Sequence, residues 1–108
     1  MPKNLLYNNA LKEKLEEIAE FHGLYGMLAE DIIAHLKRHR IRALYNKKSE
    51  LIRFSFPYEN NYIFVRVYCW ISLFYEQCDV AVSRYINRIE TNEISNRLEE
   101  LFKGIDYG

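Results

Sequence analysis

Residues 62–71, YIFVRVYCWI, constrain the fold more than any other stretch, because they alternate as a β-strand yet show no polar face. One face is apolar throughout: Ile63, Val65, Val67, Cys69 and Ile71. The other face consists of Tyr62, Phe64, Arg66, Tyr68 and Trp70. A strand with one face in water alternates apolar with polar residues, so both faces of this strand need cover. Either a helix of the same chain or a second molecule must cover the aromatic face.

Helical periodicity precedes this strand. Apolar residues recur at helical spacing from residue 8 to residue 21, with Asn8 or Asn9 as the N-cap, and again from 24 to 38. Gly23 separates the two segments, which are expected to form an antiparallel hairpin. No strand is indicated before the first helix. A closing helix is predicted to begin at Thr91 or Asn92.

Between these helices the period changes from 3.6 to two. Residues 51–56 alternate, residues 57–61 have turn composition, and residues 42–45 are a candidate flanking strand. Residues 79–89 fit both a strand and a helix, and their first half favours a strand. The predicted fold class is α+β: an N-terminal helical hairpin, an antiparallel sheet of three to four strands and a C-terminal helix, in a single domain over residues 1–108.

Composition narrows the class of protein. The net charge is zero, which argues against a dedicated nucleic-acid binder, and nine Tyr and six Phe exceed what one small core needs. The two cysteines form neither a disulfide framework nor a CxxC pair. The N-terminus lacks an apolar signal core, and the longest uncharged run, 67–75, is far shorter than a bilayer span. We therefore expect a cytoplasmic protein without membrane contact.

Residues 37–48, KRHRIRALYNKK, carry six Lys or Arg and a histidine. Cations in the last turn of a helix are stabilised by about 0.3–1 kcal/mol each, so one interpretation of the block is the end of the second helix. The functional interpretation is contact with an anion or with an acidic partner. The residues predicted for that contact are Arg38, Arg40, Arg42, Lys47 and Lys48.

Asp31, His35 and His39 repeat every four residues, a spacing that a metal ion can use. A helix pair between Asp31 and His35, with His39 at the helix end, explains the same spacing and is favoured. The sequence contains no glycine-rich phosphate loop, HExxH or GxSxG motif. We therefore predict no catalytic residues, no metal and no cofactor.

The aromatic face of the strand at 62–71 is the strongest candidate for a binding site. Three helices do not easily cover both faces of a small sheet: the helical hairpin should cover one face and leave a single short helix for the other. Tyr, Trp and Arg dominate binding hot spots. The predicted partner-binding residues are Tyr62, Phe64, Arg66, Tyr68 and Trp70, with another protein or a second copy of the chain as the partner, a homodimer being favoured.

The stretches SELIRFSF, NYIFVRV and NRIETNEISNRLEELF resemble the strand pair and closing helix of the RelE-type ribosome-dependent ribonuclease toxins. The resemblance covers about the last sixty residues. It implies RNA cleavage, with Arg84, Tyr85 and Arg88 as the candidate residues.

The sequence thus predicts a small non-catalytic protein-binding module, such as an inhibitor of the immunity, antitoxin or phage counter-defence type, that acts through the aromatic and arginine face. The alternative is an RNA-binding or RelE-like ribonuclease protein that uses residues 37–48 together with Arg84 and Arg88.

Overall fold

A computed structural model describes residues 5–68 and 78–105. The elements follow in the order β1 (Leu6–Tyr7), α1 (Asn9–Phe21), a 3-10 turn (Leu24–Gly26), α2 (Ala29–Arg38), β2 (Ala43–Asn46), β3 (Leu51–Tyr58), β4 (Asn61–Tyr68), β5 (Cys78–Val82) and α3 (Arg88–Phe102). The α+β class is confirmed. The sheet has five strands, more than predicted, because the short β1 precedes the first helix. No helix within the described ranges is long and apolar enough to cross a membrane.

The five strands form one antiparallel sheet in the order β1-β5-β4-β3-β2. β3 and β4 are joined by a tight hairpin in which Tyr58 lies opposite Asn61. β5 pairs with the other side of β4, so β4 is the central strand. The candidate strand at 42–45 and the strand in the first half of 79–89 are both present, at Ala43–Asn46 and Cys78–Val82. The predicted end of the central strand, Cys69 to Ile71, lies outside the described residues.

All three helices pack on the same face of the sheet. Phe102 of α3 meets Phe54 of β3 edge-on, with ring centroids 6.0 Å apart, and His35 of α2 stacks on Phe102 at 6.2 Å. α1 packs against both α3 and β5. The core therefore lies between the helices and the inward-facing residues of the strands: Ile52, Phe54, Phe56, Ile63, Val65, Val67, Val80 and Val82.

This placement of α3 differs from the expectation that the closing helix would lie on the second face. Leu98 and Phe102 of α3 are fully buried in the core that α1 and α2 share. An amphipathic helix has one apolar stripe, and the stripe of α3 packs into the layer of helices that α1 and α2 form on one face of the sheet. Among the described residues, no helix covers the opposite face of the sheet.

The helix boundaries follow from capping. Asn8 caps α1, as predicted, with its side-chain oxygen accepting from the Leu11 N–H at 2.9 Å. α2 begins later than the predicted residue 24, and Leu28, expected in its buried face, is exposed in an extended N-cap conformation. α3 begins before the predicted Thr91, because Asn87 and Glu90 form a capping box.

Candidate functional site

The candidate site is the sheet face opposite the helices, which is called here the uncovered face because no helix of the described residues packs on it. Tyr62 is 55% exposed on it, and Phe64, Arg66 and Tyr68 are half-buried. These four are predicted partner-binding residues, and the alternation of β4 brings them together. The fifth, Trp70, lies outside the described residues. The uncovered face thus has the aromatic and arginine composition that the sequence predicted for it.

A groove with a volume of about 640 Å³ lies on this face. Three arginines line it: Arg42, Arg53 and Arg66. The other polar lining residues are Ser55 and Asp79. The apolar lining includes Leu5, Tyr7, Leu44, Phe64 and Ala81. We call this groove the sheet-face groove. It combines an apolar floor with several guanidinium groups, a combination that suits a ligand with both apolar and anionic parts.

The strand register aligns one row of the groove across four strands. Leu44 lies opposite Arg53, Arg53 opposite Arg66, and Arg66 opposite Asp79. With strands roughly 4.8 Å apart, the row is about 14 Å long. Phe64 stands in the neighbouring row between the smaller Ser55 and Ala81. Register alone therefore places two arginines next to each other.

Only one of the three groove arginines has a counterion within the part of the chain that the structure describes. Arg66 donates from Nη2 to Asp79 at 2.9 Å and to the Tyr7 hydroxyl at 3.0 Å, and its guanidinium lies 5.7 Å from the Tyr7 ring centroid. Arg42 and Arg53 are exposed and make no ion pair or side-chain hydrogen bond there. Among the described residues that line the groove, three cations stand against one carboxylate, which gives this lining a net positive charge. Like charges directly opposite each other on paired strands are destabilising.

The basic block at 37–48 does end a helix. The Ile41 N–H donates to the Leu36 carbonyl and the Arg40 N–H to the Lys37 carbonyl, both at 2.9 Å, which is the pairing of a Schellman motif. Arg40 occupies the left-handed position, with φ 61°, that usually belongs to glycine. A non-glycine residue there costs roughly 1–2 kcal/mol.

The fold separates only part of the set predicted for anion contact, because Arg40 and Arg42 line one small pocket together with Lys37. Arg38, Arg40, Arg42, Lys47 and Lys48 are all exposed. Arg42 lines the sheet-face groove, whereas Lys47 and Lys48 lie in the turn between β2 and β3, where Asn46 Oδ1 accepts from the backbone of Lys48. Of these five residues, Arg42 alone lines the sheet-face groove.

Arg84 and Arg88, the residues of the alternative function, lie away from the basic block. Arg84 follows β5, and β3 and β4 separate β5 from β2. Its Nη1 and Nη2 donate to Glu90 at 3.2 and 2.5 Å, and these bonds lower the pKa of the Glu90 carboxyl. Tyr85 is 79% exposed. The arrangement uses Arg84 to hold the start of α3.

His35 is a core residue. It is only 4% exposed, and its Nε2–H donates to the Leu101 carbonyl at 2.5 Å. Burial lowers the pKa of His35, and the nearby His39 and Arg38 act in the same direction. The His35 and His39 rings lie 4.6 Å apart. Over residues 5–68 and 78–105, no three His, Cys, Asp or Glu side chains are grouped to hold a metal ion.

Sequence reasoning predicted Arg42, Phe64 and Arg66 but missed most other residues of the groove, among them Tyr7, Leu44, Arg53 and Asp79. The sequence did contain an indication for Arg53, because the alternation of 51–56 places it on the face of its strand opposite the apolar one. It contained none for Asp79 and Tyr7, since they reach the groove only through the pairing of β5 and β1.

No family model matches the chain, and no curated protein or solved structure is significantly similar to it. The resemblance to RelE-type toxins rests on the quoted sequence segments alone.

Proposed function

We propose that this protein is a small non-catalytic module that binds another protein through the uncovered face, as an inhibitor of the immunity, antitoxin or phage counter-defence type would. The observation that supports the proposal is the packing of all three helices on one side of the sheet. The opposite side then presents half-buried aromatic and arginine side chains, the residue types that anchor protein interfaces. The part of the face that carries them is concave.

Energetics support the same proposal. Phe64 and Tyr68 are half-buried in the chain by itself, so a partner that completes their burial gains about 25 cal/mol for each Å² of apolar surface. Phe64 already contacts Tyr62, with ring centroids 6.2 Å apart, so part of its side-chain freedom is lost before binding.

Photocrosslinking in cells that naturally make the protein tests the proposal. A photoreactive residue is placed at Leu44 or Tyr62, both exposed on the uncovered face, and at Glu17 of α1 as the control. We expect one protein to be linked from both face positions and not from Glu17. Linkage to nucleic acid alone, or equal linkage from all three positions, would contradict the proposal.

A second copy of the chain is one partner that such a face could take. Light scattering after size-exclusion chromatography, on the natural protein and on Phe64→Glu, checks this. A dimer that becomes a folded monomer places Phe64 between two copies, and a natural monomer rules out the homodimer.

The alternative function is RNA binding. Residues 37–53 contain seven Lys or Arg and a single acid, Glu50, so this segment of a neutral chain is strongly basic. Binding to a single-stranded RNA oligonucleotide that weakens steeply with salt, and that Lys47→Gln and Lys48→Gln reduce, would favour it. The separation of Arg84 and Arg88 from the basic block gives the RelE-like version less support than simple binding.

A further inference from the structure

We infer that the sheet-face groove binds a short acidic segment of the partner protein, with carboxylates against Arg42 and Arg53 and apolar side chains against Leu44 and Phe64. This inference rests on the proposed function and names the chemistry of its partner.

Charge complementarity is the first argument. The described lining of the groove has three guanidinium groups and one carboxylate, and that carboxylate, Asp79, is already bonded to Arg66. Arg53 lies opposite Arg66 with no anion beside it among the described residues. An incoming carboxylate would relieve this repulsion and would accept forked hydrogen bonds from a planar guanidinium.

The same charges argue against a second copy in the groove. Two identical faces placed together would bring six arginines against two copies of Asp79. Like charges brought together across an interface are strongly unfavourable. The occupant is therefore a different chain, and its charge is opposite to that of the groove.

The apolar lining argues for a peptide and against nucleic acid. Leu5, Leu44 and Ala81 are aliphatic and offer no stacking surface for a base, and the aromatic side chains beside them are Phe64 and Tyr7. Tyr7 carries the Arg66 guanidinium over its ring, which occupies one stacking surface. Aliphatic contacts beside unpaired guanidinium groups suit a segment in which Asp or Glu alternates with apolar residues.

A displayed library of random peptides of about 12 residues, long enough to cross the groove, tests the inference against the purified full-length chain. We expect the enriched peptides to be rich in Asp and Glu with interspersed Leu, Ile or Phe. The dissociation constant of the best one should rise about tenfold in Arg53→Gln, because a charge-assisted hydrogen bond is lost. Replacing its acids by amides should have a similar effect.

Lys14→Gln, on the exposed surface of α1, is the matched control and should leave binding unchanged. Enrichment of neutral or basic peptides, no enrichment at all, or equal effects of Arg53→Gln and Lys14→Gln would overturn the inference. The inference would also be overturned if a single-stranded RNA probe bound more tightly than the peptide and if Arg53→Gln abolished that RNA binding.

The two proposals fail separately. If photocrosslinking from Leu44 captures a protein but the library yields no acidic peptide, the acidic-segment inference fails and the binding function stands. If the crosslink captures only nucleic acid, both fail.

Discussion

Replacing Arg53 by glutamate should make the unbound protein more stable and remove partner binding. In the native sheet Arg53 lies opposite Arg66 on β4, and Arg66 pairs with Asp79 on its other side. Glutamate at position 53 removes a repulsion between paired strands and adds an attraction to Arg66. A residue that serves partner binding is expected to lower the free energy of unfolding of the unbound protein.

The size of the effect follows from the geometry. A cross-strand charge pair contributes roughly 0.2–1 kcal/mol, and Arg66 is partly exposed, which keeps the value in the lower part of that range. Removing the repulsion and adding the attraction together should raise the free energy of unfolding by about 0.5–1 kcal/mol. For a domain of this size that corresponds to a rise in Tm of roughly 2–6 °C.

Urea unfolding at low and high salt measures the change in the free energy of unfolding that Arg53→Glu causes. Arg53→Gln, which removes the repulsion without adding an attraction, should give about half the gain, and both gains should shrink as salt screens the charges. A loss of stability in Arg53→Glu at low salt, or a gain that salt does not change, would refute the electrostatic reasoning.

Three further outcomes are expected. Arg40→Gly should raise the free energy of unfolding in urea by about 0.5–1 kcal/mol, because glycine removes the left-handed backbone strain, whereas Arg40→Ala should not. Asn87→Ala should lower the Tm at a cost of about 1 kcal/mol, because the capping box of α3 is lost, and an unchanged Tm would show that the cap contributes nothing. Stability should fall as the pH drops below 6.5: burial lowers the pKa of His35 in the folded protein, so the unfolded chain takes up the proton first. Between pH 7 and 5, the free energy of unfolding should fall less steeply with pH in His35→Gln than in the natural protein. Equal slopes in the two proteins would assign the loss of stability to other groups.

Local pattern was sufficient for the order of the elements that follow β1. The alternation of 51–56 and 62–68 predicted β3 and β4, and helical spacing predicted α1 and α3, because each pattern records which side of an element is buried. The sequence located the start of a helix less precisely where two nearby residues both suit the N-cap position. Asn87 and Thr91 both suit a helix start, and the capping box with Glu90 selects Asn87. The two-residue β1 was missed because so short a strand has no period.

The binding face was only partly predictable. The alternation showed that Phe64 and Arg66 share a face that is not polar, which follows from the twofold period of a strand. It did not show that Arg53 lies opposite Arg66, because that depends on the register of the β3–β4 hairpin. The sequence also grouped Lys47 and Lys48 with Arg42, and chain reversal at the turn separates them.

The sequence by itself determined the fold class and the two-faced character of the central strand, because side-chain alternation is a local property. Tertiary structure alone decided on which face of the sheet the three described helices pack. The apolar stripe of α3 had two faces of the sheet available, and its burial against α1 and Phe54 placed all three helices on one side. Pairing of β1 and β5 with the rest of the sheet then brought Tyr7 and Asp79 to Arg66. These contacts join residues far apart in the chain, and no local period encodes them.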